Sequence, residues 1–285
     1  MNTRKLTIRG LQYHIQEWGS AEKPLLLLLH GWMDCGASYK YMADILKDDY
    51  FLVAPDWRGF GETEHAQGYW FPDYFADLEC IIEHYSPNAP VDMIAHSMGG
   101  NIALMYAGIR PEKISRLMSL EALGMFDKKS SDAPKTYRRW LDEIGLNATT
   151  KTYPDRDALK SSIRAGNPNL SEELVTELSF LWGREYGDEG QMRLKHDHAH
   201  RYTNPIRYNF DDVLAVWAEV TAAVSIVMAE DSPFYKNYQK IGRIEQAHAC
   251  LPAPQEHYYL ITDSAHMLHI EQPQQVSEAV KRFFS

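Results

Sequence analysis

A serine enclosed by small residues, Ala95-His96-Ser97-Met98-Gly99-Gly100, lies where an apolar run over 91–95 gives way to a helical pattern beginning near Met98. A sharp strand-to-helix turn exposes a serine hydroxyl, and small residues two positions to either side let the backbones approach closely enough to make it. Ala95 and Gly99 hold those positions, with alanine standing where glycine is more usual. In that context Ser97 is the candidate nucleophile for acyl transfer. Acyl transfer also needs two backbone N–H groups aimed at the oxyanion that develops in the transition state. Met98, directly after the nucleophile, is expected to supply one. The loop that follows the apolar run over 24–29 begins His30-Gly31-Trp32, and Trp32 is expected to supply the other.

The elements that position these residues are carried by a chain of ordinary globular composition. Its 285 residues are 45% hydrophobic and 24% charged, enough for one large core or a core with an inserted subdomain. The 39 acidic residues outweigh 29 basic ones, a net charge of −10. A phosphate-backbone binder needs a basic face, so no nucleic-acid partner is expected. The same charge gives no pull toward anionic membranes. The longest aliphatic run, Leu25–Leu29, is far too short to span a bilayer, and the first ten residues lack the apolar stretch of a secretory signal. No membrane partner is therefore expected. Cys35, Cys80 and Cys250 are odd in number and form no Cys-x-x-Cys pair, which reads as free thiols in a reducing, cytoplasmic setting.

Short apolar runs alternate with helical patterns through the first half, the signature of a mainly parallel sheet covered on both faces. Residues 5–8 and 11–18 read as a hairpin. Buried strands are expected over 24–29, 50–54, 91–95 and 114–120, with helices over 38–46, 72–85 and from Met98 onward. From about 125 to 221 the pattern is helical, broken by Pro, Gly and Asn, with no convincing buried strand. Strands resume at 224–229 and 258–262, and an amphipathic helix over 274–284 closes the chain. The expected architecture is an α/β core, residues 1–124 and 222–285, interrupted by a helical cap over 125–221.

Taken together the motifs resemble the α/β-hydrolase fold superfamily, in its capped serine-hydrolase branch. Asp56-Trp57-Arg58-Gly59-Phe60-Gly61 resembles the family's Asp-x-Arg-Gly-x-Gly loop, and Glu271-Gln272-Pro273 opens the last helix in the family's manner. Ser264-Ala265-His266 falls after a late strand, where the family places its base. The resemblance implies a doubly wound, mostly parallel sheet and the chain order nucleophile, acid, base. His266 is the expected base, with His269 and His257 its rivals. Most relatives carry the acid as Gly-x-x-Asp after the strand equivalent to 224–229. Here that stretch is Ala229-Glu230-Asp231-Ser232, with Ser232 in the acid's place. The alternative position is the end of the strand after the nucleophile helix, where haloalkane dehalogenases carry their acid. Glu121 stands there and is preferred, with Asp231 the runner-up.

These roles describe a hydrolase that needs no metal or organic cofactor. A serine nucleophile sets the chain apart from the dehalogenases and epoxide hydrolases of this fold, which form an ester on aspartate. The expected activity is that of a carboxylesterase acting on a small-molecule ester. The alternatives are carbon–carbon bond hydrolysis or perhydrolysis by the same triad, or small-molecule sensing on a hydrolase fold. A lipase would want an exposed apolar lid, and 125–221 contains no long apolar stretch. His196, Asp197, His198 and His200 form a local cluster that is expected to be structural rather than metal-binding. Gly59-Phe60-Gly61 lacks the third glycine of a dinucleotide loop. Asn101 is expected merely to pack. Tyr137, Trp140, Phe180, Trp182 and Trp217 line an acyl pocket or fill the cap's own core.

Overall fold

Five consecutive leucines make a strand with no polar alternation because both of its faces are covered. Leu27 and Leu29 pack with Trp57 and Ile102, while Leu26 and Leu28 pack with Tyr39, Met42 and Phe283 in a second cluster. This strand is the third of eleven in a computed structural model that describes residues 2–145, 149–187 and 189–285. The strands are β1 (Asn2–Ile8), β2 (Leu11–Trp18), β3 (Leu25–Leu29), β4 (Phe51–Pro55), β5 (Val91–His96), β6 (Ile114–Leu120), β7 (Thr152–Tyr153), β8 (Gly183–Tyr186), β9 (Gln191–Leu194), β10 (Ala223–Ala229) and β11 (Tyr258–Ile261). Eight form the main sheet in the order β1-β2-β4-β3-β5-β6-β10-β11. The β1–β2 and β2–β4 pairs are antiparallel and all the others parallel.

Helices α1 (Lys40–Leu46), α2 (Phe71–Tyr85) and α3 (Met98–Ile109) join the first parallel strands, and α10 (Leu268–Glu271) and α11 (Pro273–Phe284) close the chain. Between β6 and β10 lie α4 (Ala133–Ile144), α5 (Arg156–Gly166), α6 (Glu172–Leu181) and α7 (Phe210–Trp217). Between β10 and β11 lie α8 (Pro233–Lys240) and α9 (Arg243–Cys250), which the sequence reading left unassigned.

The segment after β6 departs from a purely helical pattern, because β7, β9 and β8 form a small antiparallel sheet. Its strands are only two to four residues long and mix buried, half-buried and exposed positions, so they carry no apolar run to be found in the sequence. Tyr153, Leu159, Ile163, Val175, Leu178 and Met192 make a third core there, which Cys35, Met267 and Ile270 reach from the main body. Helix α7 belongs elsewhere: Phe210, Val213 and Trp217 pack in the same cluster as Leu27, Leu29 and α3. No helix among the described residues is long and apolar enough to cross a membrane.

Candidate active site

The parallel strands end together, and their ladder continues one rung beyond three of them. The Ser97 N–H donates to Leu120 O at 2.9 Å, the Glu121 N–H to Val227 O at 2.9 Å, and the Glu230 N–H to Ile261 O at 2.9 Å. The loops after β5, β6, β10 and β11 are thereby aligned at the carboxyl edge of the sheet, the usual place for a site in an open α/β fold.

Ser97 occupies the turn between β5 and α3 at φ 51° and ψ −113°, a conformation that costs energy for a residue with a side chain. Gly99 makes the turn possible, since a Cβ there would lie 2.4 Å from Leu29 O. The Ser97 Oγ is 3.0 Å from His266 Nε2, and His266 Nδ1 is 3.3 Å from Glu121 Oε2. Glu121 is itself in a left-handed conformation, φ 56°, directly after β6. Its carboxylate is buried and already held, for Oε1 accepts the Ala229 N–H at 2.8 Å and Oε2 accepts the Ser232 hydroxyl. The serine in the family's usual acid position thus contacts the carboxylate at the alternative one. Asp231 points elsewhere: its side chain is half exposed and lies 3.9 Å from Lys236 Nζ.

Of the other expected residues, Trp32 and Met98 line the same cavity as Ser97 and His266. The Trp32 indole is not a core side chain but is half exposed, with the Arg201 guanidinium 5.8 Å from its ring. Met98 is the first residue of α3, where unpaired helix N–H groups favour negative charge. Asn101 does more than pack: its Oδ1 accepts the Gly124 N–H at 2.8 Å and ties α3 to the loop after Glu121. Tyr238 does the same from α8, donating to Gly124 O at 2.9 Å, and burial pushes its hydroxyl up to about 12. Of the two rival bases, His269 is fully buried, while His257 meets the Phe283 ring edge to face beyond the far end of β11.

Behind His266 lies a layer of polar groups, of which the sequence pointed only to His269, as a rival base. The His96 Nε2–H donates to the His266 carbonyl at 2.7 Å. Burial holds His96 well below the usual histidine range, so it stays neutral. A neutral ring there does not oppose charge forming on His266. His269 lies against His96, with ring centres 4.5 Å apart, and its Nε2 is 3.5 Å from Asp34 Oδ2. Asp34 also accepts from Trp182 Nε1 at 2.7 Å and from the Ser38 hydroxyl at 2.8 Å. Asp34, His96 and His269 each bring a donor atom within 4.8 Å of the other two. Phe234, after Ser232, lays its ring 4.4 Å from that of His266. Besides His269, Ser232 carried a readable signal, by occupying the acid's usual register.

The Asp56 to Gly61 loop has a structural role. Asp56 accepts the Gly36 N–H at 2.7 Å and the Glu62 N–H at 2.9 Å, and Arg58 forms a buried pair with Asp77 at 2.5 and 2.6 Å. A Cβ on Gly61 would fall 2.2 Å from Asp56 Oδ2. The His196–His200 cluster is also engaged in packing. Asp197 accepts from Tyr69 at 2.7 Å and from the Ala199 N–H at 3.1 Å. His200 stacks on Phe60 with centres 3.7 Å apart, and burial lowers it to about 3.

The cavity above Ser97 holds about 1000 Å³ and is walled by Trp70, Phe71, Tyr74, Trp140 and Tyr238. Of the five aromatic residues considered earlier, only Trp140 lines it. Trp182 belongs to the third core, Trp217 packs on α3, and Tyr137 and Phe180 are exposed.

The fold and this edge of the sheet define an α/β hydrolase, and the chain belongs to that family. The model of the α/β-hydrolase fold matches residues 24–273. Among individual proteins, the zebrafish (Danio rerio) serine hydrolase-like protein is 26% identical over 277 residues, 94% of this chain and 83% of that protein. Human epoxide hydrolase 4 is 36% identical over 112 residues, covering 38% of this chain and 31% of that one. The thioesterase domain from the curacin biosynthetic pathway superposes with a TM-score of 0.84 at 23% identity, over 99% of both chains.

Proposed function

We propose that this hydrolase is a serine esterase that cleaves a neutral carboxylic ester through an acyl-enzyme on Ser97. The observation that carries the reading is the continuous line from Ser97 Oγ through His266 to the buried Glu121 carboxylate. His266 takes the Ser97 proton as the hydroxyl attacks the carbonyl carbon, while Glu121 accepts the His266 Nδ1–H and stabilises the imidazolium. The Met98 and Trp32 amides receive the oxyanion. His266 returns its proton to the departing alcohol, then activates a water that attacks the acyl-enzyme and frees the acid. Met125, Phe126, Trp140, Ile144 and residues 199–204 wall the cavity and select the acyl group, and α7 belongs to the body beneath.

Resemblance to an epoxide hydrolase over part of the chain does not favour that chemistry at Ser97. A serine oxygen that opened an epoxide would form an ether, which this machinery has no means to hydrolyse, whereas an acyl ester turns over by the same attack reversed in sense. The relatives named as a serine hydrolase-like protein and a thioesterase fit an acyl substrate.

The test is hydrolysis of a series of p-nitrophenyl esters by the wild type and by Ser97→Ala. Turnover that disappears with Ser97 supports the proposal. Turnover that survives the substitution, or epoxide opening without ester cleavage, would sink it.

A further inference from the structure

Two asparagines line the cavity above Ser97 from different parts of the chain, Asn101 on α3 and Asn204 in the segment before α7. The backbone turns both amides the same way. Asn101 Oδ1 accepts the Gly124 N–H at 2.8 Å, and Asn204 Oδ1 accepts the Ile206 N–H at 2.9 Å. Only the oxygen of a side-chain amide can accept a backbone N–H, so the position of each NH2 group is set. No described residue accepts from either Nδ2. Other polar groups of the wall are spent on the protein: Tyr69 donates to Asp197, Tyr238 to Gly124 O, and Glu121 is held by Ala229 and Ser232. The two NH2 groups are donors in want of acceptors, in a wall otherwise rich in aromatic rings. A bound molecule that shut out water without meeting them would leave them unpaired, at a cost in affinity.

The kind of acceptor follows from what else stands there. No lysine or arginine lines the cavity, while Glu121 does. Arg201, beside the Trp32 ring, is exposed to solvent. An anionic acceptor would therefore be buried with no cation to pair with it, which is costly. A hydroxyl would bring a proton of its own, and both amide oxygens are already engaged. A carbonyl oxygen only accepts, and so matches a pair of donors. Asn101 lies one helical turn on from Ser97, to whose carbonyl its own N–H donates at 3.0 Å. Side chains so spaced stand roughly 5–6 Å apart, about four bonds of acyl chain from the carbon that Ser97 attacks.

We infer that the cavity selects an oxo-acyl ester, an uncharged ester whose apolar acyl chain carries a second carbonyl. Asn101 Nδ2 donates to that carbonyl from the body, and Asn204 Nδ2 donates to it from the segment between β6 and β10. The ester in this description rests on the esterase reading; recognition of the second carbonyl does not.

The experiment uses pairs of esters that differ in a single group. Ethyl 4-oxoheptanoate and ethyl 5-oxoheptanoate are each compared with the analogue in which a methylene replaces the oxo oxygen, keeping the shape and removing the acceptor. Binding is read on Ser97→Ala protein by tryptophan fluorescence, since Trp70 and Trp140 line the cavity. Hydrolysis is read as acid release by protein that keeps Ser97. Both are repeated with Asn101→Asp and with Asn204→Asp. Aspartate keeps the oxygen that meets the Gly124 or Ile206 N–H and removes the donor. The overall effect of the added charge is shared by both members of a pair, so the readout is their ratio. At least one oxo ester should be preferred ~10-fold or more in binding and in kcat/KM, and each substitution should lower that ratio ~10-fold, the loss of one hydrogen bond from a desolvated donor. No preference in either pair, or a preference that Asn101→Asp leaves unchanged, would overturn the inference. A ratio moved by Asn101→Asp but not by Asn204→Asp would overturn the two-donor arrangement. Preferential binding in a protein that hydrolyses no ester would leave the recognition standing and remove the esterase reading. Ester hydrolysis without preference would do the reverse.

Discussion

Ser232 donates its hydroxyl proton to the carboxylate of Glu121, joining the two positions at which this fold can carry an acid. The serine is buried at the start of α8, where its oxygen also accepts the Phe234 N–H at 3.1 Å. Carboxylate and hydroxyl share one small space beside His266, so a change at either position is felt at the other.

Glu121→Gln should keep the shape of the site and lose the charge that stabilises imidazolium. Loss of the acid in a triad of this kind costs about 10,000-fold in kcat. Asp231→Asn, at a half-exposed side chain paired only with Lys236, should leave kcat within about twofold. Measured side by side, the opposite ranking would move the acid to Asp231.

The shared space makes a relocation experiment possible. Glu121→Ala removes the acid, and Ser232→Asp restores a carboxylate from the neighbouring loop. The double variant should recover about 10-fold or more of the kcat lost by Glu121→Ala alone, because orientation and charge are both returned to His266. Equal activity of single and double variants would mean that a carboxylate at 232 does not reach the imidazole.

Stability should fall on acidification through buried neutral histidines. His30, His96, His196 and His200 are all held below the ordinary histidine value, each chiefly by burial, His200 at about 3. An unfolded chain takes up protons on these rings near pH ~6.5 while the folded one does not. The unfolded state then binds more protons, so stability declines as pH drops below ~6.5, and His200 contributes down to pH ~3. Urea midpoints at pH 7.5, 6 and 4.5 should descend, with a loss on the order of a few kcal/mol at the lowest value. His200→Gln should flatten the slope. A midpoint independent of pH over this range would contradict the account.

The Arg58–Asp77 pair should be costly to break. Both side chains are nearly buried, and burial alone would push the Arg58 guanidinium down; its contacts with Asp77 reverse that and raise it. Tyr13 donates to the same carboxylate. Asp77→Ala leaves a buried cation without its main partner, a change worth about 3–5 kcal/mol of stability. The thermal midpoint should fall by several degrees with the site geometry intact in the folded fraction; an unchanged midpoint would show the pair to be dispensable.

The parts of the molecule that the sequence made legible are those buried on two sides. β3 is an unbroken apolar run and β5, β6 and β10 are apolar over most of their length because both faces are covered, and the ends of these strands locate Ser97, Glu121 and the loop of Ser232. Glu121 could be proposed as the acid from the sequence because Ser232 stands in a register where a carboxylate is usual. β7, β8 and β9 were not readable, since strands of two to four residues are too short to show an alternation. The grouping of Asp34, His96 and His269 was not readable either: the three come from separate stretches, His269 entering the sequence analysis only as a rival base, and only folding makes them neighbours.

The rung that extends the ladder past β5, β6 and β10 ties the working groups to the backbone of the sheet itself. Ser97 and Glu121 donate their own amide protons to the strand beside them, so neither can loosen without opening a sheet edge. Heat should therefore find no early stage at which the protein is folded but inert. Inactivation and the melting of the central strands should follow one curve, and amide exchange at Ser97 and Glu121 should be as slow as in the middle of β5.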